Sequence, residues 1–266
     1  MQTRGPLVGQ CNICGDVGKL TEDHTPPKGV IRVGQMELHH ITTRISPRGP
    51  QTKWRNFQNG VKYRTLCGPC NNGLGTHDDP ALIDFSGLVH SVMKSKWPLS
   101  AGVVRPQNVM RSVIGHLSAQ GVDRYRKGPR TELVAWYLTD RRLTLPSTIK
   151  VYWWTYPFKH QVLVRDCTFM DLPSGHPIHM WIMKFFPLAF LVVFECPREI
   201  RFPANELSVF RDFLSDETAR IEIDCRSTLY PYWPEAPSDD SIVLYGPEAA
   251  FAQQVEKAVS KKPIMA

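Results

Sequence analysis

Leu20-Thr21-Glu22-Asp23-His24-Thr25-Pro26-Pro27-Lys28 stands between two short cysteine pairs, Cys11-Asn12-Ile13-Cys14 before it and Cys67-Gly68-Pro69-Cys70 after it, and the second pair runs directly into Asn71-Asn72. Thiolates two residues apart converge on one tetrahedral metal ion from a tight turn, and two such turns complete a four-sulfur shell suited to zinc. A shell of that kind has no open position, so Cys11, Cys14, Cys67 and Cys70 read as a structural zinc site that staples two distant turns together. Between Cys14 and Cys67 lie 52 residues, far more than the roughly 15–20 that separate the pairs of a compact zinc ribbon. The staple therefore encloses an insertion with work of its own.

Inside that insertion, Leu20 to His24 reads as a short strand ended by Pro26-Pro27, and Val61 to Leu66 alternates as a second strand that delivers Cys67. A helix, or a turn leading to one, is expected after Cys70. Gly73, Gly75 and Pro80 punctuate the exit, which places the boundary between an N-terminal unit, residues 1–80, and a second domain, residues 81–266. Beyond Pro80 the period is helical. Leu82, Phe85, Val89, Val92 and Met93 form one apolar stripe, Val109, Met110, Val113, Ile114 and Leu117 another, and Glu132 to Leu138 a third, shorter helix. From Ile149 the period shortens, and Ile149 to Tyr156, His160 to Arg165, Ile178 to Phe185 and Leu188 to Glu195 read as an antiparallel meander. A helix is expected over Asn205 to Leu214, a strand over Ala219 to Asp224, irregular chain from Pro231 to Asp240 and a terminal helix from Glu248 to Lys261. The fold class is α+β: a zinc-stapled unit, then a larger α+β domain with helices and a β-meander.

The chain has 266 residues and a net charge of +7, and the surplus is unevenly placed. Residues 1–75 hold ten Lys or Arg against four Asp or Glu, the remainder 22 against 21. Arg44, Arg48, Lys53, Arg55, Lys62 and Arg64 form the densest basic stretch, without an acidic residue and with Trp54, Phe57 and Tyr63 interleaved. Such a segment suits phosphate contacts with a polyanion, although a solvated basic loop has the same composition. No apolar run is long enough to cross a bilayer and the first residues lack an apolar signal core. With Cys167, Cys196 and Cys225 scattered singly, a reducing, cytoplasmic setting without disulfides is expected.

Taken in order, Cys11-Asn-Ile-Cys14, Leu20-Thr-Glu-Asp-His24-Thr-Pro-Pro-Lys28 and Thr65-Leu-Cys-Gly-Pro-Cys-Asn-Asn-Gly-Leu-Gly75 resemble the zinc-containing branch of the HNH endonucleases, the ββα-metal or His-Me finger nucleases. The resemblance covers roughly residues 8–80. It implies a ββα-metal unit that hydrolyses DNA with Mg2+ or Mn2+, in which Asp23 holds the catalytic cation, His24 acts as general base and Asn71 offers its amide oxygen to the same ion, with Asn72 as the substitute ligand. The chemistry agrees with those residue types. Cutting a phosphodiester needs an activated water and a cation for the charge that builds on the leaving oxygen. A carboxylate is a hard ligand for such a cation, and neighbours on a strand leave the backbone in different directions.

Two features depart from the family pattern. The central Asn that braces the loop carrying the base is open between Asn59 and Asn56, and a Lys that commonly follows three residues after the final Asn is here Leu74. An RNase using the same site, or a zinc-knuckle nucleic-acid-binding protein that no longer cuts, are the competing readings. Further expectations are a homodimer, because one site handles one strand, a regulatory ligand or protein acting through residues 81–266, and by analogy a role in bacterial or phage defence. His77-Asp78-Asp79 reads as helix capping, His39-His40 as loop surface, and His160, His176 and His179 as structural. Trp153-Trp154 and Phe185-Phe186 read as core and strand-edge aromatics.

Overall fold

The computed structural model describes residues 2–31, 34–45, 55–125, 129–173, 175–197, 200–236 and 238–255. In chain order the elements are β1 (Val8–Gln10), β2 (Val17–His24), β3 (Met36–His40), α1 (Thr42–Ile45), β4 (Arg55–Phe57), β5 (Lys62–Cys67), α2 (Gly68–Gly73) and α3 (Asp79–Lys94). They continue with β6 (Leu99–Val104), α4 (Pro106–Ala119), α5 (Pro129–Thr139), β7 (Ile149–Thr155), β8 (Gln161–Asp171), β9 (Pro177–Phe185) and β10 (Leu188–Phe194). β11 (Asn205–Glu206), β12 (Ala219–Asp224), β13 (Ser241–Tyr245) and β14 (Ala250–Gln254) complete the chain. The architecture is mixed α+β with antiparallel sheets throughout the named strand pairs.

A three-stranded sheet in the order β1-β2-β5 carries the first knuckle and the Asp23-His24 strand. The meander β7 to β10 lies in a nine-stranded sheet of order β11-β7-β10-β9-β8-β14-β3-β4, with β13 also on β8. Both faces of that sheet are covered. Along β7, Ile149, Val151 and Trp153 face one apolar cluster while Tyr152 and Trp154 face the other, the two-residue period of a strand read from both sides. Strands β3 and β4, from within the cysteine-bounded insertion, pair into this large sheet through β14. The first apolar cluster also runs from Cys11 through Leu66, Phe85 and Ile114 to Ala252, so residues on either side of position 80 share a sheet and a core.

Three expectations about elements change. Asn205–Leu214 is not a helix: Asn205 and Glu206 pair with β7, Leu207 donates to Val151 O at 2.7 Å, and a single 3-10 turn, Ser208–Phe210, follows. Contact with a strand edge overrides the local helical pattern there. The start of the expected terminal helix is instead β14, held between β8 and β3, with Ala250, Phe251 and Ala252 all buried; residues 256–261 lie outside the described residues. His39 and His40 sit on β3, not on a loop. No helix among the described residues is long and apolar enough to cross a membrane.

Helix α4 occupies the centre. All fourteen of its residues are buried, because it packs on α3, α5, β2, β5, β8 and β9. A helix buried all round must satisfy its polar side chains internally. Its C-terminal end is held by the first knuckle and by β5: Asn12 Nδ2 donates to Ser118 O at 3.0 Å and to Gly121 O at 2.7 Å, and Thr65 Oγ1 donates to Ala119 O at 2.6 Å. These bonds satisfy carbonyls that a helix end leaves open.

Candidate metal centre and active site

Backbone geometry builds both knuckles. Gly15 closes the first with a φ of 79°, its N–H donating to Cys11 O at 3.0 Å, and a β-carbon at this position would run into the Tyr125 ring. The second forms where β5 turns into α2, with Pro69 in the first helical turn, where no N–H partner is needed. The sulfur atoms of Cys11, Cys14, Cys67 and Cys70 lie within 4.8 Å of one another, and Cys14 Sγ stands 3.7 Å from Cys67 Sγ. A tetrahedron with ~2.3 Å metal–sulfur bonds has an edge of about 3.8 Å, so the four can hold one ion.

Donation from the Cys70 thiol, with backbone N–H groups of Cys67, Cys14 and Ile13, pulls the Cys11 pKa down to about 4. The neighbours respond in the opposite sense: burial pushes Cys14 up to about 12, and its bond to Cys11 pushes Cys70 up. A divalent cation among them favours all four thiolates. Among the described residues this is the one group of three or more His, Cys, Asp or Glu side chains gathered closely enough for an ion.

Asp23 and His24 close β2. The strand's pairing with β5 is regular up to Thr21↔Leu66 and resumes at Glu22↔Arg64, so one residue of β5 is skipped. A bulge of this kind re-aims the side chains that follow it. Leu20 and Asp23, three apart, both end up buried, and His24 is left half-exposed. Asp23 is 5% exposed. Its Oδ2 accepts from His116 Nδ1 at 2.7 Å and, more weakly, from Thr25 Oγ1 at 3.4 Å, while Oδ1 takes no hydrogen bond among the described residues and keeps contact with solvent.

His24 Nε2 lies 3.1 Å from Asn59 O, so it carries the proton and donates. That tautomer leaves Nδ1 as the basic lone pair. Burial, then the Lys62 ammonium on the paired strand, lowers the His24 pKa and favours the neutral ring. Asn59 has a φ of 63° and precedes Gly60 at 81°, a left-handed turn that aims the carbonyl at His24. Asn59 meets the imidazole through its backbone carbonyl and not through its side-chain amide, and Asn56 is on β4.

Asn71 Nδ2 donates to Thr21 Oγ1 at 3.0 Å and to Glu22 O at 3.3 Å. The amide nitrogen is thereby tied to β2 beside the bulge, and no hydrogen bond joins Asn71 to Asp23 or His24 among the described residues. Asn72, next on α2, is exposed. The basic residues scatter. Lys62 neighbours His24, Arg64 pairs with Glu22 at 3.4 Å, Arg55 is exposed on β4, and Arg44 lies over the Phe251 ring at 5.3 Å. Arg48 and Lys53 fall outside the described residues.

The arrangement contains a group that sequence reasoning passes over. His116 donates from Nδ1 to Asp23 and from Nε2 to Asp79 Oδ1 at 2.8 Å, and Ser112 Oγ donates to the same Asp79 oxygen at 2.7 Å. Burial alone would lower the His116 pKa, but the two carboxylates outweigh it and raise the value well above the ordinary one. One turn further along the same face, Asn108 donates to His77 O and to Asp78 Oδ1, and Arg141 pairs with Asp78 at 3.0 Å. Asp78 and Asp79 therefore do not cap α3, as expected, since neither side chain meets the helix N–H groups. A π-helical turn, Leu74–Asp78, joins α2 to α3 without a break; its extra residue rotates the following face toward α4. The signal that could have found the group is Asn108, Ser112 and His116 at four-residue spacing, a polar stripe along one face of the helix.

Comparison of the chain with protein-family models, with curated proteins and with solved structures gives no match.

Proposed function

We propose that the protein is a metal-dependent endonuclease of the HNH type that hydrolyses DNA phosphodiester bonds, with zinc in the four-cysteine site as a structural staple. The observation that carries this reading is His24: a neutral imidazole with Nε2 committed to Asn59 O and Nδ1 free, one residue from a carboxylate with one open oxygen. In the proposed reaction His24 Nδ1 accepts the proton of the attacking water. Asp23 and Asn71 would hold Mg2+ or Mn2+, which would supply charge stabilisation at the leaving oxygen. Lys62 and Arg55 contact phosphate without reading bases.

The test is nicking of supercoiled plasmid with Mg2+ or Mn2+ by the wild type and by His24→Ala. Cutting by the wild type, with a loss of about 100-fold or more in the variant, supports the assignment. Equal cutting by both, or none by either, overturns it. A second reading, a nucleic-acid-binding protein that does not cut, draws on the near-complete burial of Asp23 against His116; retention of plasmid in a gel shift without nicking favours it. Labelled RNA in place of plasmid separates an RNase from a DNase.

A further inference from the structure

The grip on Asp23 comes from outside the stapled unit. Asp23 lies on β2 and Asp79 begins α3, 56 positions later, while the imidazole between them belongs to α4. Side-chain exposures are 1% for His116, 6% for Asp23 and 14% for Asp79, so both bonds are largely shielded from water. The other contact to Asp23, Thr25 Oγ1 at 3.4 Å, is too long to set the carboxylate's rotation. We propose that His116 is a positioning residue for Asp23: held at Nε2 by Asp79, it fixes Oδ2 with Nδ1 and so presents Oδ1 to the divalent cation.

The inference rests on the nuclease reading and deepens it. A ligand carboxylate binds well when its second oxygen is hydrogen-bonded by a group that is itself held, and loss of such a partner costs about 10- to 100-fold in metal affinity. Each link is present here. The π-helical turn brings Asp79 to face α4, Ser112 Oγ shares its Oδ1, and the knuckle residue Asn12 anchors the end of α4. His116 thereby makes the geometry of the reaction centre depend on residues beyond 80.

The experiment is Mn2+ titration of the full-length, zinc-loaded chain, followed by the electron paramagnetic resonance of free Mn2+, beside plasmid nicking over a range of Mn2+ concentration. His116→Ala, His116→Gln and Asp79→Asn are compared with wild type, each at matched zinc content and circular dichroism. The expected order of Mn2+ dissociation constants is wild type, then Asp79→Asn and His116→Gln, then His116→Ala, the last weaker than wild type by about 10- to 100-fold. Nicking should recover toward the wild-type rate at saturating Mn2+, because the chemistry at His24 is untouched. A purely structural role would instead reduce nicking by one factor at every Mn2+ concentration.

Should His116→Ala fail to fold, His116→Gln and Asp79→Asn still decide the matter. Dissociation constants within about twofold of wild type in those folded variants would overturn the inference while wild-type cutting left the nuclease reading intact. A wild type that neither binds Mn2+ nor cuts would overturn both.

Discussion

Replacing Cys67 by serine tests the staple from which the rest is built. Cys67 ends β5, its sulfur is 3.7 Å from Cys14 Sγ, and its N–H donates to Cys11 Sγ at 3.3 Å. Structural zinc contributes roughly 10–16 kcal/mol in small peptides, comparable with the whole ~5–15 kcal/mol stability of a domain. Opening a four-thiolate shell forfeits at least one ligand's share, about 2.5–4 kcal/mol. The damage spreads along defined contacts: the knuckle residue Asn12 holds the end of α4, and Leu20, Tyr63 and Leu66 pack with Cys11 in the first apolar cluster. Zinc content should fall from one ion per chain to a small fraction. Amides of β2, β5 and α2 should exchange with deuterium about 100-fold faster or more, while those of β7 to β10, buried within the large sheet, keep most of their protection. A variant that keeps one zinc per chain, or loses it with β2 and β5 still protected as in wild type, would refute the reasoning.

Three other outcomes follow from buried polar groups. Lys184 and Glu235, both almost wholly buried, pair at 2.7 Å, so Lys184→Met should destabilise by about 3–5 kcal/mol in urea, and adding Glu235→Leu should recover much of it; no recovery would mean that the lysine's bonds to Pro231 O and Trp233 O carry the effect. His160 accepts from Tyr156 O–H and is held near a pKa of about 4 by burial, the Lys184 ammonium and the Arg44 guanidinium. A depressed histidine contributes stability that is present above the ordinary value near 6.5 and lost as pH falls toward 4. Discounted for its partial exposure, this is about 1 kcal/mol between about pH 7 and pH 5, and His160→Phe should flatten the pH profile of urea midpoints by that amount; an unchanged profile would refute it. Asn12→Ala removes two donors from Ser118 O and Gly121 O and one acceptor from the Arg124 N–H, for an expected loss of about 2–4 kcal/mol without loss of zinc.

Local chemistry is legible along the chain itself. The knuckles can be read because two residues of spacing is itself the geometry of a metal-binding turn, and the meander because β7 to β10 repeat β-branched and aromatic residues between turns. Helix α4 shows through Val109, Val113 and Leu117, yet nothing in its own residues says that the opposite, polar face is buried as well. Elements whose identity depends on a distant partner are the ones that local pattern misreads or misses. Ala250 to Gln254 is helical by composition and becomes a strand because β8 and β3 flank it. Leu99 to Val104 carries no element in the reading of the sequence and forms β6 because β12 pairs with it along its length.

The side chains able to do chemistry can be read along the chain: four thiols in two close pairs, an acid and an imidazole side by side on a strand, and an amide after the last cysteine of the second pair. How those groups are held depends on packing between distant elements. A bulge in β5, opposite the Thr21–Glu22 step of β2, turns Asp23 inward, the carbonyl of Asn59 selects the His24 tautomer, and His116, 93 residues away along the chain, closes on Asp23. The physical reason is range. Spacing and periodicity encode the geometry of neighbours within a few residues, whereas a hydrogen bond between β2 and α4 exists only once hydrophobic burial has packed those elements together.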